Sequence, residues 1–153
     1  MGKEKVTRLH FYFHDILSGK NPTALRVAQA PTTNQSSTMF GALLMVDDPL
    51  TQGPKPNSKL VGRAQGLYGF AGQNTTAIIV AISYVFTDKK FINGSSLSIL
   101  SHNPVTNPVR ELTIVGGTGW FRFARGVAQA KTYFLNTTTG DAIVEYNVTV
   151  IHY

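Results

Sequence analysis

The sequence contains no cysteine, which excludes disulfide bonds, thiolate nucleophiles, cysteine-ligated zinc sites and iron–sulfur clusters. Charged residues make up only 14% of the chain, against about 25% in a typical globular protein, so the surface must rely on Ser, Thr, Asn and Gln. No apolar run approaches the ~20 residues that a membrane-spanning helix needs. We therefore expect a soluble protein that neither crosses a membrane nor depends on sulfur chemistry.

The chain is long enough and hydrophobic enough to form one domain with a packed core. Its 153 residues are 42% hydrophobic and 10% aromatic, which predicts a single domain over residues 1–153. The formal charge of +6 comes from scattered Lys and Arg without a basic cluster, so we expect no nucleic-acid partner. We expect no metal site either, because His10 and His14 would lie about 13 Å apart along one strand and His102 and His152 have no spaced partners.

The apolar residues follow the pattern of an all-β protein. Runs rich in Phe, Tyr, Ile, Val and Thr alternate with Gly, Pro and Asn turn signals, and no long stretch has helical periodicity. The predicted strands cover residues 7–15, 40–48, 60–70, 76–86, 95–101, 110–115, 120–135 and 142–151. Residues 116–119 (GGTG) are interpreted as a tight turn between strands. Seven or eight antiparallel strands predict either a sandwich or a closed barrel.

The first predicted strand places a carboxylate on its inner face. Leu9, Phe11, Phe13 and Asp15 share one side of the strand, since side chains alternate across a sheet. A carboxyl group after three apolar neighbours is costly to ionise, so its pKa should be raised, as suits a general acid. The alternative is that Asp15 only caps the turn that follows.

The third predicted strand has three small residues on one face, Gly62, Ala64 and Gly66, followed by Tyr68 and Phe70. Either another backbone packs against the small residues or the interior is hollow enough for a ligand. Tyr68 and Phe70 either stack on an aromatic ligand or fill the core. The next strand is apolar on both faces over residues 77–82, which predicts a covered exterior and hence contacts between subunits.

Arg110 begins a predicted strand, where a guanidinium at the mouth of a barrel would hold a phenolate or fix an acid. Simple solvation at the surface is the alternative. We expect Arg110 to pair with the interior carboxylate Asp15.

Asn-x-Ser/Thr sequences are more frequent than chance predicts. They occur at five positions: Asn34, Asn74, Asn93, Asn136 and Asn147. These candidate N-glycosylation sites indicate a secreted protein, although heavy use of Asn and Thr in strands and turns would also produce them. We expect a signal peptide to have been removed from the native protein.

Several segments, in order along the whole chain, resemble the plant dirigent family. They are residues 11–17 (FYFHDIL), 40–41 (FG), 47–51 (DDPLT), 62–68 (GRAQGLY), 110–112 (REL), 115–119 (VGGTG) and 125–126 (RG). The resemblance implies an eight-stranded antiparallel β-barrel related to allene oxide cyclase. It also implies a homotrimer, secretion to the apoplast, N-glycosylation and no cofactor.

Dirigent proteins hold reactive phenolic intermediates and impose stereochemistry on the bond that forms. By position in the matching motifs, the resemblance implies that Asp15, Arg110 and Tyr68 are the catalytic residues. Phe13, Phe70 and Asn103 would contact the substrate.

The sequence departs from the lignan-forming members of the family at three points. Their second pocket aspartate is replaced by Asn103, their second pocket tyrosine by Phe70, and their cysteines are missing. Because an amide binds a hydroxyl but cannot transfer a proton, the pattern looks more like the subgroup of pterocarpan synthases and gossypol-type coupling proteins.

The resulting hypothesis is a pterocarpan-synthase-like lyase that dehydrates an isoflavan-4-ol through a quinone methide. The alternative is a non-enzymatic scaffold that directs the coupling of radicals made by an external laccase or peroxidase. A third interpretation, a wall protein that binds acidic glycans through its positive charge, would make Asp15 dispensable.

Overall fold

The computed structural model describes residues 1–89 and 93–153, and almost all of its regular structure is β-strand. The strands are β1 (Lys5–Asp15), β2 (Ala24–Ala28), β3 (Leu43–Thr51), β4 (Leu60–Phe70), β5 (Ile78–Phe86), β6 (Ser96–Asn103), β7 (Arg110–Thr118), β8 (Arg125–Leu135) and β9 (Ala142–His152). Short 3₁₀ helices cover Thr33–Gln35 and Gly119–Phe121. In the described ranges no helix has the length and apolar character needed to cross a membrane.

Eight of these strands close into an antiparallel barrel, so of the two predicted architectures the barrel is confirmed. The strands follow one another around the barrel in the order β1, β9, β8, β7, β6, β5, β4, β3. β1 completes the ring against β3, where Tyr12 lies opposite Thr51 and Phe13 opposite Leu50. Closure removes the free strand edges that would otherwise template aggregation.

The sequence prediction missed one strand and misplaced the boundaries of others. The short strand β2 pairs with β3 outside the ring, and its mostly exposed residues lack the alternation of a half-buried strand. The expectation of a tight turn at residues 116–119 was wrong, because β7 continues through Gly116 and Gly117 to Thr118. The strand predicted from residue 120 starts only at Arg125, because Phe123 adopts a positive φ of 62° after the second 3₁₀ helix.

The middle of the barrel is filled by aromatic rings. Phe11 stacks on Tyr146 with ring centroids 5.7 Å apart and meets Tyr84 edge-on at 5.3 Å. Phe86 continues the cluster to Phe121 at 5.6 Å. All five side chains are buried, and such pairs add about 0.5–1.5 kcal/mol each beyond the area they bury. These rings form a packed aromatic layer next to the polar residues described below. We call this layer the aromatic floor.

The small residues of β4 allow β5 to approach closely. A Cβ atom at Gly62 would lie 2.5 Å from the carbonyl oxygen of Val85, and one at Gly66 would overlap the carbonyl oxygen of Ala81. Of the two sequence interpretations, the one with a neighbouring backbone therefore applies. The inward row of β4 continues with the larger side chain of Tyr68, which is buried at the same end of the barrel as Asp15.

Apolar side chains form a continuous row across the outside of five strands. Cross-strand pairing aligns Leu25, Met45, Leu67, Ala81 and Leu100 on β2, β3, β4, β5 and β6. Leu100 is 56% exposed, and Leu25 and Met45 are also exposed. We call this set the outer apolar row. The row includes Ala81 of β5, the strand for which the sequence predicted an apolar outer face over residues 77–82.

Candidate functional site

The side chains that the sequence singled out lie toward one end of the barrel. Asp15 ends β1, Tyr68 lies near the end of β4, Asn103 ends β6 and Arg110 begins β7. Because neighbouring strands are antiparallel, these positions are at the same rim of the ring. All four side chains are buried there, which gives this end of the barrel its polar interior.

Asp15 and Tyr68 are in direct contact. The Tyr68 hydroxyl donates a hydrogen bond of 2.8 Å to Oδ2 of Asp15, although 53 residues separate them in sequence. Asp15 is only 9% exposed, and this burial is the main cause of its raised pKa; hydrogen bonds from Asp48 and Tyr68 partly offset the effect. Burial likewise raises the pKa of Tyr68, which stays a protonated donor. The raised pKa of Asp15 agrees with the sequence prediction.

A second carboxyl group, Asp48, lies beside Asp15 and was missed as a site residue. Asp48 is fully buried, and its carboxyl is within hydrogen-bonding reach of the carboxyl of Asp15. The sequence did hold a signal. Leu44, Val46 and Leu50 alternate inward along β3, and Asp48 takes the inward position between the last two.

The two carboxyl groups cannot both be ionised at little cost. Burial, the charge of Asp15 and the hydrogen bond between the carboxyls raise the pKa of Asp48 to about 10. Neither oxygen of Asp48 accepts a well-formed hydrogen bond from an N–H or O–H group in the described part of the chain. A hydrogen bond between two carboxyl oxygens needs a proton between them, so the pair retains one proton at neutral pH.

Arg110 forms a separate cluster with Asn103. Its Nε donates to Oδ1 of Asn103 at 3.2 Å, and its Nη1 donates to the Asn107 carbonyl and the Thr132 hydroxyl. The guanidinium is buried, with 4% of the residue exposed, and desolvation lowers its pKa. Within residues 1–89 and 93–153 its Nη2 has no hydrogen-bond acceptor, so this group remains available to a ligand.

The expected pairing of Asp15 with Arg110 was wrong. No hydrogen bond or ion pair joins them in the described ranges, because Asn103, Asn107 and Thr132 occupy the guanidinium. A further residue that the sequence did not single out, Tyr146, is sensitive to both groups. Burial raises its pKa, Arg110 lowers it, and Asp15 and Asp48 raise it further. The Tyr146 phenol is thus the electrostatic neighbour common to the carboxyl pair and the guanidinium.

The aromatic residues predicted to contact substrate lie next to this polar interior. Phe70 meets Tyr68 edge-on with ring centroids 6.0 Å apart, and Phe13 lies 5.8 Å from Tyr146. Partly buried apolar side chains from the adjoining strand ends and loops pack against the same core: Leu17, Met39, Val105 and Val144. The arrangement offers a protonatable acid, a phenol and a guanidinium under an apolar rim, as a phenolic ligand would require.

Two other kinds of candidate site were considered in the described ranges: metal sites and surface depressions. In the described ranges no three His, Asp or Glu side chains are grouped as a metal site would need. Two surface depressions lie elsewhere, one beside Met45 and Arg63 and one beside Arg8 and Phe86, and neither is lined by a site residue: Asp15, Asp48, Tyr68, Asn103 or Arg110. The five Asn-x-Ser/Thr asparagines also lie apart from it; all are exposed except Asn136, which is partly buried.

Comparison with known proteins connects this geometry to a family. The profile of the family described as Dirigent-like protein matches residues 6–151. The chain is 56% identical over 151 residues to Dirigent protein 23 of Arabidopsis thaliana, covering 99% of this chain and 80% of the relative. It is 51% identical over 152 residues to Pterocarpan synthase 1 of Glycyrrhiza echinata, again covering 99% and 80%.

A solved structure shares the fold over the full length. The pterocarpan synthase dirigent protein PsPTS1 superposes with a TM-score of 0.92 at 48% identity, covering 100% of this chain and 99% of that one. The two proteins are therefore similar both in fold and in amino-acid sequence.

The buried carboxyl pair predicts an unusual dependence of stability on pH. In the folded protein Asp48 keeps its proton up to its pKa of about 10, whereas in the unfolded chain it loses the proton above pH ~4. The unfolded state is therefore favoured progressively as the pH rises, and the free energy of unfolding decreases between these two pKa values. Asp48→Asn should remove that dependence. We expect the variant to exceed the wild type in free energy of unfolding by about 1–3 kcal/mol at pH 9, with a smaller difference at pH 5, measured by urea denaturation.

Asp47→Asn is the matched control, because Asp47 is the exposed neighbour of Asp48 on the opposite face of β3. Hydrogen bonding to Arg63 lowers the pKa of Asp47, so its contribution is complete above pH ~4 and should not change between pH 6 and 9. If the free energies of unfolding of the wild type and Asp48→Asn differed by the same amount at every pH from 5 to 9, the assignment of a raised pKa to Asp48 would be contradicted.

Proposed function

The chain belongs to the dirigent family, and we propose that it dehydrates an isoflavan-4-ol and closes the resulting quinone methide to a pterocarpan with defined stereochemistry. The observation that carries this proposal is the buried carboxyl of Asp15, whose pKa is raised by burial and which is hydrogen-bonded to Tyr68 beneath an apolar rim. The 51% identity to a pterocarpan synthase supports the same reaction class.

The chemistry conserves atoms and protons without an external reagent. Asp15 delivers a proton to the leaving 4-hydroxyl, the carbon–oxygen bond breaks and water departs, while a conjugated phenol of the substrate releases its proton to solvent to give the quinone methide. A second phenol oxygen on the same molecule attacks the former C4 and its proton returns to Asp15, while the quinone methide oxygen takes up a proton from solvent and becomes a phenol again. The barrel contributes by holding one face of the intermediate toward that oxygen.

Arg110 and Tyr68 have complementary roles in this proposal. The free Nη2 of Arg110 would stabilise the oxygen on which negative charge develops as the phenol ionises, in a site where burial strengthens the interaction. Tyr68 would orient Asp15 through its 2.8 Å hydrogen bond and contact the substrate together with Phe70. Asn103 would hold the guanidinium in place and use its amide N–H groups toward a hydroxyl. Phe13, beside Tyr146, would support the aromatic ring of the substrate.

Purified protein incubated with a racemic isoflavan-4-ol and no oxidase should accelerate pterocarpan formation and favour one enantiomer, as followed by chiral chromatography. Asp15→Asn should lower the rate by about 10²–10⁴-fold, because the amide cannot protonate the leaving group. The exposed variant Asp47→Asn should retain wild-type rates. A wild type that does not exceed the uncatalysed rate would contradict the lyase proposal.

The second candidate is the non-enzymatic scaffold, favoured by the higher identity, 56%, to a relative named only as a dirigent protein. The same preparation with laccase and a coupling phenol distinguishes the two. An enantiomeric excess in the coupled product, without any dehydration of the isoflavanol, would support the scaffold over the lyase.

We also propose that the chain assembles as a homotrimer through the outer apolar row. This row runs across five adjacent strands, and its residues Leu25, Met45 and Leu100 are exposed while Leu67 and Ala81 are partly buried. Contiguous exposed apolar side chains of this kind mark contacts between proteins. Leu100→Asp should shift the sedimentation mass from three chains toward one. Val6→Asp, at an equally exposed apolar position on β1 away from the row, should stay trimeric; a wild-type monomer would refute the assembly.

Secretion is proposed on the exposure of the glycosylation sequences. Asn34, Asn74, Asn93 and Asn147 are exposed, whereas the partly buried Asn136 uses its side-chain oxygen to accept the backbone N–H groups of Thr138 and Thr139. Protein recovered from the apoplastic fluid of plants expressing the native gene should lose mass on enzymatic removal of N-glycans. Changing the four exposed asparagines to Gln should abolish most of that loss, and an unchanged wild-type mass would contradict glycosylation.

A further inference from the structure

We propose that Asp48 is a positioning residue that keeps a proton in reserve behind Asp15 for transfer to the leaving hydroxyl. The inference rests on the proposed function and adds to it a residue that neither the motif resemblance nor the comparisons assign. It starts from the seam where the barrel closes between β1 and β3.

The register of that seam brings the two acids together. Tyr12 pairs with Thr51 and Phe13 with Leu50; continuing the same antiparallel register by two residues places Asp15 opposite Asp48. The ladder stops before this point because β3 now pairs with the segment leading into β2, where the Asp47 amide donates to the Thr23 carbonyl. The two carboxyls therefore face each other where the strands separate.

The two oxygens of Asp15 have different surroundings. Oδ2 accepts from the Tyr68 hydroxyl at 2.8 Å, and Oδ1 is buried without an N–H or hydroxyl donor among the residues the structure describes. The Asp48 carboxyl is the neighbour left to serve Asp15. Because Asp48 has no exposed surface, it reaches a ligand only through Asp15.

Among the residues that the structure describes, no cation is placed to hold both carboxyls ionised. Facing Asp48 and Asp15 are Tyr68 and the outward-pointing Arg63 from β4, Tyr146 from β9, Asp141 before β9, and the Thr23 hydroxyl. Arg63 acts from a distance and is paired with Asp47 at 2.6 Å; His14, next to Asp15 on the other face, bonds to Thr51. Arg110 is bonded elsewhere, so the pair accommodates a single negative charge.

The proton balance assigns each acid a task. When Asp15 is ionised, Asp48 holds the one proton of the resting pair and can pass it to Asp15 as Asp15 protonates the departing hydroxyl. The pair then carries two negative charges only until the ring closes. The phenol that closes the ring releases one proton, which returns to the pair. With Asp48 in place, the site therefore retains a transferable proton at a pH where Asp15 alone would have lost its own.

Asp48→Asn tests this directly, because the amide keeps a neutral donor toward Asp15 but has no proton to give up. We expect the variant to come nearest to wild-type kcat/KM at the acid end of the range, because protonation of Asp15 itself increases as the pH falls. On the alkaline side its activity should fall at a pH more than one unit below that of the wild type. The comparison uses initial dehydration rates from pH 5.5 to 9.5, corrected for the uncatalysed reaction, with Asp47→Asn as the control that keeps the wild-type profile.

A profile superimposable on that of the wild type would overturn the proposal, and so would a loss of rate by the same factor at every pH, which a merely structural role predicts. Asp48→Leu, which removes the donor altogether, should lose activity across the whole range while its melting transition remains cooperative.

A second readout separates this proposal from the proposed function. Carboxyl ¹³C signals should show Asp48 of the wild type titrating far above the ordinary range, with Asp15 responding to both steps, and a single Asp15 step in Asp48→Asn. Ordinary titration of Asp48 near pH 4 would overturn the proposal whatever the activity. A wild type that is inert at every pH but shows the two coupled steps would refute the lyase function and leave the shared proton established.

Discussion

The seam between β1 and β3 is the constraint on which this structure depends. Pairing of β1 with β3 closes the ring there, and it also brings two acidic side chains to face each other inside the barrel. The strands part directly beyond Phe13 and Leu50, so Asp15 and Asp48 lie where backbone pairing ends and side-chain hydrogen bonding begins. The site is in this sense a product of barrel closure.

Desolvation then determines what the acids can do. Two carboxylates in a buried environment without a neutralising cation repel each other, and retaining one proton is the least costly state. The Tyr68 hydroxyl satisfies one oxygen of Asp15, and the aromatic floor of Phe11, Tyr84 and Tyr146 keeps water from below. Arg110 remains separate because Asn103 accepts from its Nε, and Asn107 and Thr132 accept from its Nη1.

Strands whose apolar and polar residues alternate regularly were predicted well from the sequence. Alternation along β1 and β4 correctly put Asp15 and Tyr68 on inner faces, and the motifs led to the correct fold and family. β2 was missed because an exposed strand outside the ring has no buried face to impose alternation. The burial of His14 was also not foreseen: its ring lies on the outer face of β1 but is covered where Nε2 bonds to Thr51 at 2.6 Å.

The division between sequence and tertiary structure follows from the range of the interactions. Side-chain parity is local, so the sequence alone determined that Asp15, Tyr68 and Asp48 point inward, and its composition excluded sulfur chemistry. Which inward groups meet depends on the register with which distant strands close, and only the tertiary structure decided it. That register paired Asp15 with Asp48 and Tyr68, and it gave Arg110 to Asn103, because each strand can contact only the neighbours that the closed ring places beside it.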